Sequence, residues 1–358
     1  MGEFPTRAED VSADWLTSKL RSAGALVSGE VSLVEWEPIG TGQVGDSARF
    51  HLSYAGGEGP ATLAGKFPAQ DQTSRTTAAM MNLYAKEVTF YSEIAAKIDV
   101  RTARVITSEI AENLIDYIIL FEDLGPAKVG NQLEGCSIEQ ARAAIRQAAA
   151  IHAPSWNRAD IIELPILHRS PELTEQLRQM YPAAQQIFAE RYGSVLEPEY
   201  LAICRDLGDC FGALFNYTPP DTCLVHGDFR LDNMLFDIKG GQEEIAIVDW
   251  QTVTVNHPMS DIGFFMGCGI GDDLRRAHEE ELLVLYLGEM SRRGVILSRE
   301  EIQYPYRLGA LHGVSTAVFS AAFVERTERG DANFLSMARG ACALALKHDS
   351  IGALKELA

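Results

Sequence analysis

The hydrophobic positions of this chain fall into two regimes. Between residues 31 and 121 they form short runs, Val31 to Trp36, Ala48 to Tyr54, Ala61 to Phe67, Arg104 to Ile110 and Leu114 to Phe121, with the period-two alternation and β-branched content of strands. A helix over about Ser12 to Ala23 precedes them with Trp15, Leu16 and Leu20 on one face, and a helical stretch, Arg75 to Ile98, separates the third run from the fourth. From residue 137 onward the pattern turns helical. Ser137 with Gln140 and Ser298 with Glu301 form capping boxes, and Ser170-Pro171 supplies an N-cap and a first-turn proline. In this half only Met234 to Phe236 and Ile245 to Val248 read as strands. The pattern predicts an α+β chain: a β-rich lobe over 1–124, a mainly helical lobe over 125–358, and a hinge near 121–126.

The apolar stretch Leu308 to Val324 is free of charges but carries His312, Ser315, Thr316 and Ser320. It predicts a buried helix, because a bilayer span needs about 20 predominantly apolar residues. No repeat or low-complexity tract interrupts the chain. Its 358 residues, with 46% hydrophobic and 23% charged, are enough for a sizeable core. Lys and Arg number 31 against 50 Asp and Glu, a formal charge of −19, which argues against nucleic acid as a partner. The polar N-terminus offers no apolar run for a signal peptide, so the expectation is a cytosolic protein. Gly2 and Thr6 fit the bare myristoylation pattern. Cys136, Cys204, Cys210, Cys223, Cys268 and Cys342 show no metal spacing and predict reduced, packed thiols.

Candidate chemistry begins at Gly40-Thr-Gly42-Gln-Val-Gly45. Such a string can open a dinucleotide-binding helix or cover ATP phosphates. Here a strand-like run follows it, which favours a glycine hairpin whose amides approach phosphates. Lys66 lies 21 residues after the last glycine in an apolar run; it is either a solvated surface charge or an ammonium that neutralises α- and β-phosphate oxygens. That role needs a carboxylate partner: Glu87 on the lobe's helical stretch, or Glu93 as the alternative.

The strongest signal is Leu224-Val-His-Gly-Asp-Phe-Arg-Leu-Asp-Asn-Met-Leu-Phe236, with Asp228 five residues before Asn233. Charged residues framed by buried segments are costly unless they are paired or used. Ile245-Ala-Ile-Val-Asp-Trp then sets Asp249 after a short strand. One aspartate to orient an acceptor hydroxyl, with an asparagine and a second aspartate for Mg²⁺, is what phosphoryl transfer from ATP requires.

This ordered set resembles the aminoglycoside phosphotransferase and choline kinase-like superfamily over nearly the whole chain. Phe121-Glu-Asp-Leu124, His152-Ala-Pro-Ser-Trp156, Asp249-Trp-Gln251 and Pro258-Met-Ser-Asp261 are most similar to its ecdysteroid kinase-like branch and bacterial relatives. The resemblance implies a two-lobe protein-kinase-like fold and a small-molecule kinase. Asp228 would be the catalytic aspartate, Asn233 and Asp249 the Mg²⁺ ligands, and Lys66 the phosphate contact with Glu87 as partner. The Glu122 carbonyl and Leu124 amide would meet the adenine edge. Arg230 stands where relatives often carry histidine or tryptophan, and would either touch the γ-phosphate or pair with an acidic neighbour such as Asp232.

His226 is expected to brace the loop, and Asp261 to cap a helix or brace the catalytic loop. His152 and Met259 to Met266 are expected in the core. A protein kinase is excluded, since His-Gly-Asp replaces His-Arg-Asp and the 12 residues from Asp249 to Asp261 leave no room for an activation loop. The acceptor pocket is expected between the catalytic loop and helices near 155–220 and 298–328. A neutral, steroid-like alcohol is the expected acceptor, with a cationic aminoglycoside or choline-type molecule as the alternative. Two other classes stay open: a pseudokinase that binds nucleotide without turnover, and a dinucleotide-dependent oxidoreductase.

Overall fold

A computed structural model describes residues 4–40, 44–324 and 326–357. Gly2 and Gly42 of the sequence reading lie outside them. The chain divides into two compact units, one comprising 1–97, 101–127 and 237–252, the other 98–100, 128–236 and 253–358.

The first unit is built on five antiparallel strands, β1 (Glu30–Pro38), β2 (Gly45–Ala55), β3 (Thr62–Pro68), β4 (Val105–Ile110) and β5 (Tyr117–Glu122), in the order β1-β2-β3-β5-β4. Each contains or overlaps one of the predicted runs. One face of the sheet carries Phe50, Leu63, Phe67, Ile118 and Leu120, and the helix Ala13–Ser22 contributes Leu16 and Leu20 to the same core. Ser12 caps that helix by accepting a hydrogen bond from the Trp15 amide at 3.2 Å. Gly65 is required within β3, because a Cβ there would press on the Phe50 ring at 2.8 Å.

The predicted helix over Arg75 to Ile98 is broken. It runs as Gln72–Met80, then Leu83–Thr89, then a wide turn Phe90–Ile94 and a tight turn Ala95–Lys97. The break falls at Asn82, which takes a left-handed conformation with φ 54°, one that asparagine tolerates better than most residues. The apolar period continued through the break, so periodicity alone could not locate it. The strand β9 (Glu243–Ile247) and the turn Trp250–Thr252 complete this unit.

The second unit is mainly helical, with long helices Ile138–Ser155, Pro171–Tyr192, Asp272–Arg292, Gln303–Phe323 and Glu328–Lys347. The Ser137–Gln140 capping box and the Ser170 cap form as the sequence predicts. Strand β7 (Cys223–Val225) pairs antiparallel with β10 (Thr254–Asn256), and β6 (Lys128–Val129) with β8 (Met234–Asp237). The charge-free stretch from Leu308 lies within Gln303–Phe323, whose buried residues include Leu308, Leu311, Val314 and Val318. Among the described residues no helix is long and apolar enough to cross a membrane.

Glycines let these helices approach closely. A Cβ on Gly309 would overlap the Met259 carbonyl, and one on Gly340 would overlap the Gly267 carbonyl. Gly288, on the helix Asp272–Arg292, has open space around it. Gly309→Ala should therefore destabilise the protein by about 1–3 kcal/mol through overpacking. Gly288→Ala should be neutral or stabilising by up to about 1 kcal/mol, from helix propensity alone. Urea unfolding of the two variants beside the wild type checks the contrast, and equal effects would refute the close crossing.

Candidate active site

The first group of candidate site residues lies in the first unit. Strand alternation turns Lys66 to the face of β3 opposite Leu63 and Phe67. Its Nζ lies 2.7 Å from Glu87 Oε2 and 2.9 Å from Oε1, and 2.9 Å from Asp249 Oδ1. Glu87 is 1% exposed, whereas Glu93 points outward. The helix presenting Glu87 is fixed by Tyr84, whose hydroxyl donates to the Val44 carbonyl at 2.6 Å and whose ring stacks on Tyr117 at 4.6 Å.

Asp249 and Trp250 are held as firmly. The Trp250 ring stacks on Phe90 at 3.7 Å, its indole N–H donates to Thr102 Oγ1 at 3.0 Å, and its amide donates to Glu87 Oε1 at 3.3 Å. Asp249 has φ 65°, a left-handed backbone uncommon outside glycine and found at functional sites. Burial by itself would lower the Lys66 pKa; the charges of Asp249 and then Glu87 outweigh it, and the ammonium is held well above its ordinary value. Burial pushes the Glu87 carboxyl upward, with Lys66 opposing.

Gly40 has φ 74° and, like Gly45 at the start of β2, lies where two antiparallel strands join. Gly40 and Gly45 therefore flank the connection between β1 and β2, and a strand rather than a helix begins at Gly45, unlike the strand–loop–helix arrangement of a dinucleotide fold. Glu122, at the end of β5, accepts from Lys239 Nζ at 2.6 Å and from Arg101 Nη1 at 2.7 Å, with Arg104 Nη2 at 3.4 Å. Burial would raise its pKa, but these cations, Lys239 foremost, lower it to about 2. Leu124 is buried, and its carbonyl accepts from the Lys239 amide at 2.9 Å.

The second group lies in the second unit. After β7 the chain turns through Gly227, with φ 82°, into the candidate catalytic loop. Asp261 holds this turn: its Oδ2 accepts from the His226 amide at 2.7 Å and its Oδ1 from the Gly227 amide at 2.9 Å. His152 Nε2 lies 3.2 Å from the same carboxylate while its Nδ1 meets the Tyr286 hydroxyl at 3.0 Å. Asp261 and His152 are fully buried. Burial would raise the Asp261 pKa, but the His152 bond and charge, with the backbone donors, bring it below the ordinary carboxylate range. His312 Nε2 lies 2.8 Å from the Gly227 carbonyl.

Asp228 meets Arg230 Nε at 2.9 and 3.1 Å, and Arg230 Nη1 reaches Asp232. Of the two readings of Arg230, the geometry here is the acidic pairing. Asn233 Nδ2 donates to the Asp228 carbonyl at 2.9 Å and to its Oδ2 at 2.8 Å. With its donors so used, Asn233 has its carbonyl oxygen Oδ1 to offer a ligand, the hard donor that Mg²⁺ prefers. Among the described residues no cluster of three or more His, Cys, Asp or Glu side chains could hold a metal.

The sequence reading did not identify Arg101, Lys239 and Glu243 around Glu122, or His312 against Gly227. Arg101 meets Glu122 and Glu243 across separations of 21 and 142 residues, so no local spacing announces them.

The sequence profile of the ecdysteroid kinase-like family matches residues 47–298. Two solved structures are similar over most of the chain. Spectinomycin phosphotransferase in complex with ADP and spectinomycin is 14% identical, with a TM-score of 0.53 and coverage of 95% of this chain and 99% of that one. Choline kinase from Cryptosporidium parvum is 12% identical, with a TM-score of 0.53 and coverage of 89% of each chain. At such identities the likeness concerns the fold, and that fold is the two-lobe, protein-kinase-like one. Human acyl-CoA dehydrogenase family member 11 is 50% identical over 42 residues, which are 12% of this chain and 5% of that protein. The match thus spans about a twentieth of that relative's length.

Asp261 gives a pH-dependent test. Asp261→Asn should cost about 3 kcal/mol at pH 7, because buried donors lose a charged acceptor. A carboxyl with a lowered folded-state pKa contributes fully above its unfolded value near 4 and loses that contribution as pH falls. The gap between wild type and variant should therefore narrow from pH 7 to pH 3 in urea titrations. A gap that does not change with pH would mean that the carboxylate charge is not what holds the loop.

Proposed function

Because the chain belongs to the ecdysteroid kinase-like family, we propose that it transfers the γ-phosphate of ATP to a hydroxyl of a small molecule. The observation that carries this reading is the pairing of Lys66 with Glu87 and Asp249 on rigid elements, in the same chain as a braced Asp228–Asn233 loop. In phosphoryl transfer the protein's work is chiefly positioning and charge stabilisation, and both groups are suited to it.

In this reading Lys66 contacts the α/β-phosphates, oriented by Glu87. The glycine hairpin lies over the phosphates, and the Glu122 carbonyl and Leu124 amide meet the adenine edge. Asn233 and Asp249 would hold Mg²⁺, which neutralises phosphate charge when bound. Asp228 accepts a hydrogen bond from the acceptor hydroxyl. As the hydroxyl oxygen bonds to the γ-phosphorus, the bond to the bridging oxygen breaks, ADP leaves, and Asp228 takes the proton. Each carboxylate oxygen has two lone pairs, so the Arg230 and Asn233 contacts leave capacity for that bond.

For the acceptor, the similar structures support a cationic aminoglycoside or choline-type molecule more than a steroid. One carries spectinomycin and another is a choline kinase, and the chain's charge of −19 is compatible with a cation. The steroid-like acceptor draws its support from the family's name.

MgATP should raise the melting temperature and NADP should not. At about 100 times its dissociation constant a ligand stabilises by about 2.7 kcal/mol. A shift with NADP and none with MgATP would overturn the kinase reading in favour of an oxidoreductase.

Asp228→Asn separates a kinase from a pseudokinase. It should lower turnover at least about 10²-fold, the lower end for a positioned acid or base, while MgATP affinity changes little. Parallel ATP-consumption and nucleotide-binding measurements check it, and turnover near that of wild type would remove Asp228 from the chemical step.

A further inference from the structure

Beside the catalytic loop, within the second unit, lies a group of polar atoms that the reading above does not use. Strand β6 pairs with β8, and the Gly130 amide donates to the Met234 carbonyl at 2.9 Å. A Cβ on Gly130 would overlap the Leu231 carbonyl, so glycine is what allows this segment to approach the loop. Two residues on, the Gln132 amide donates to Asp232 Oδ1 at 3.0 Å. Gln132 is 4% exposed, yet both Nε2 and Oε1 of its side chain are buried with no protein partner.

The helix Glu328–Lys347 brings a second amide to the same carboxylate. Asn333 Nδ2 lies 3.5 Å from Asp232 Oδ2, and its Oδ1 is buried without a partner. Three unsatisfied amide atoms thus belong to two residues that share Asp232, which Arg230 links to Asp228. Buried polar groups are normally paired, and orphans mark strain, function or a bound partner. An amide offers both a donor and an acceptor, which is what a hydroxyl group needs.

The charges here are already matched. Asp228 and Asp232 face the guanidinium groups of Arg230 and, at 3.8 Å, Arg329. An ammonium group would find no spare carboxylate in this group, whereas a neutral hydroxyl that reached the buried amides would find unsatisfied donor and acceptor atoms.

We propose that Gln132 and Asn333 bind a second, uncharged hydroxyl of the acceptor near the one that is phosphorylated, so that the preferred acceptors are polyols. This rests on the phosphotransferase reading and names the chemistry of its acceptor end.

The test uses the full chain with matched probes. Myo-inositol, trans-1,2-cyclohexanediol and kanamycin are compared with cyclohexanol by MgATP-dependent product formation and by melting shift, in wild type, Gln132→Leu and Asn333→Ala. In wild type at least one polyol should exceed cyclohexanol by about tenfold or more, since a site built to hydrogen-bond a hydroxyl rejects the analogue lacking it. That preference should collapse in both variants. Gln132→Leu without ligand should melt at the same temperature or higher, because it removes an unsatisfied buried amide.

A lower melting temperature for Gln132→Leu would show that Gln132 serves packing or a trapped water, and would overturn the proposal. So would a wild type that binds MgATP but prefers no polyol, or a preference that survives both substitutions. A wild type that does not respond to MgATP would overturn the kinase reading itself, and this inference with it.

Discussion

The first unit is organised around a buried charge. Lys66 is 13% exposed on its side chain and must be compensated where it stands, since an unpaired ammonium in such surroundings would cost several kcal/mol. Compensation comes from Glu87 and Asp249, and each is kept within reach by aromatic residues: Tyr84 against Tyr117 for the helix, Trp250 against Phe90 for the turn after β9. The stacking and the ion group support each other. Removing the rings would free the carboxylates, and removing Lys66 would leave two acidic groups facing each other.

The second unit solves the corresponding problem with a buried anion. Asp261 takes two consecutive backbone amides and one imidazole, so the turn at His226 and Gly227 cannot relax without stranding donors. A loop held this way needs little reorganisation when substrate arrives, which is the economy of electrostatic preorganisation. The Gly227 carbonyl is used as well, by His312 on the helix Gln303–Phe323.

Much of this was legible in the sequence because it is local or motif-bound. Alternation placed the five strands of the first sheet, and the capping serines placed helix starts. The order of hairpin, Lys66, Glu87, Asp228, Asn233 and Asp249 carried the resemblance. What the sequence hid depends on distant partners. Arg101, Lys239 and Glu243 look like ordinary surface charges until the fold gathers them around Glu122. Gln132 and Asn333 have no signature at all, because an unsatisfied amide exists only once burial is known. The break at Asn82 escaped for the opposite reason: the apolar period ran through it, while one left-handed residue redirected the chain.

Arg230 bears on how the loop could work. It is paired with both Asp228 and Asp232, and its own pKa is moved upward: burial opposes, and the charge of Asp228, then that of Asp232, prevails. In phosphoryl transfer the transition state is loose and most of the catalytic work is alignment and charge stabilisation. Arg230 and Asn233 fix both oxygens of Asp228, and a fixed acceptor of one hydrogen bond is what alignment of a hydroxyl requires. The same arginine holds Asp232, the carboxylate that Gln132 and Asn333 share. Alignment of the reacting hydroxyl and choice of its neighbouring group would then be settled by one connected set of side chains.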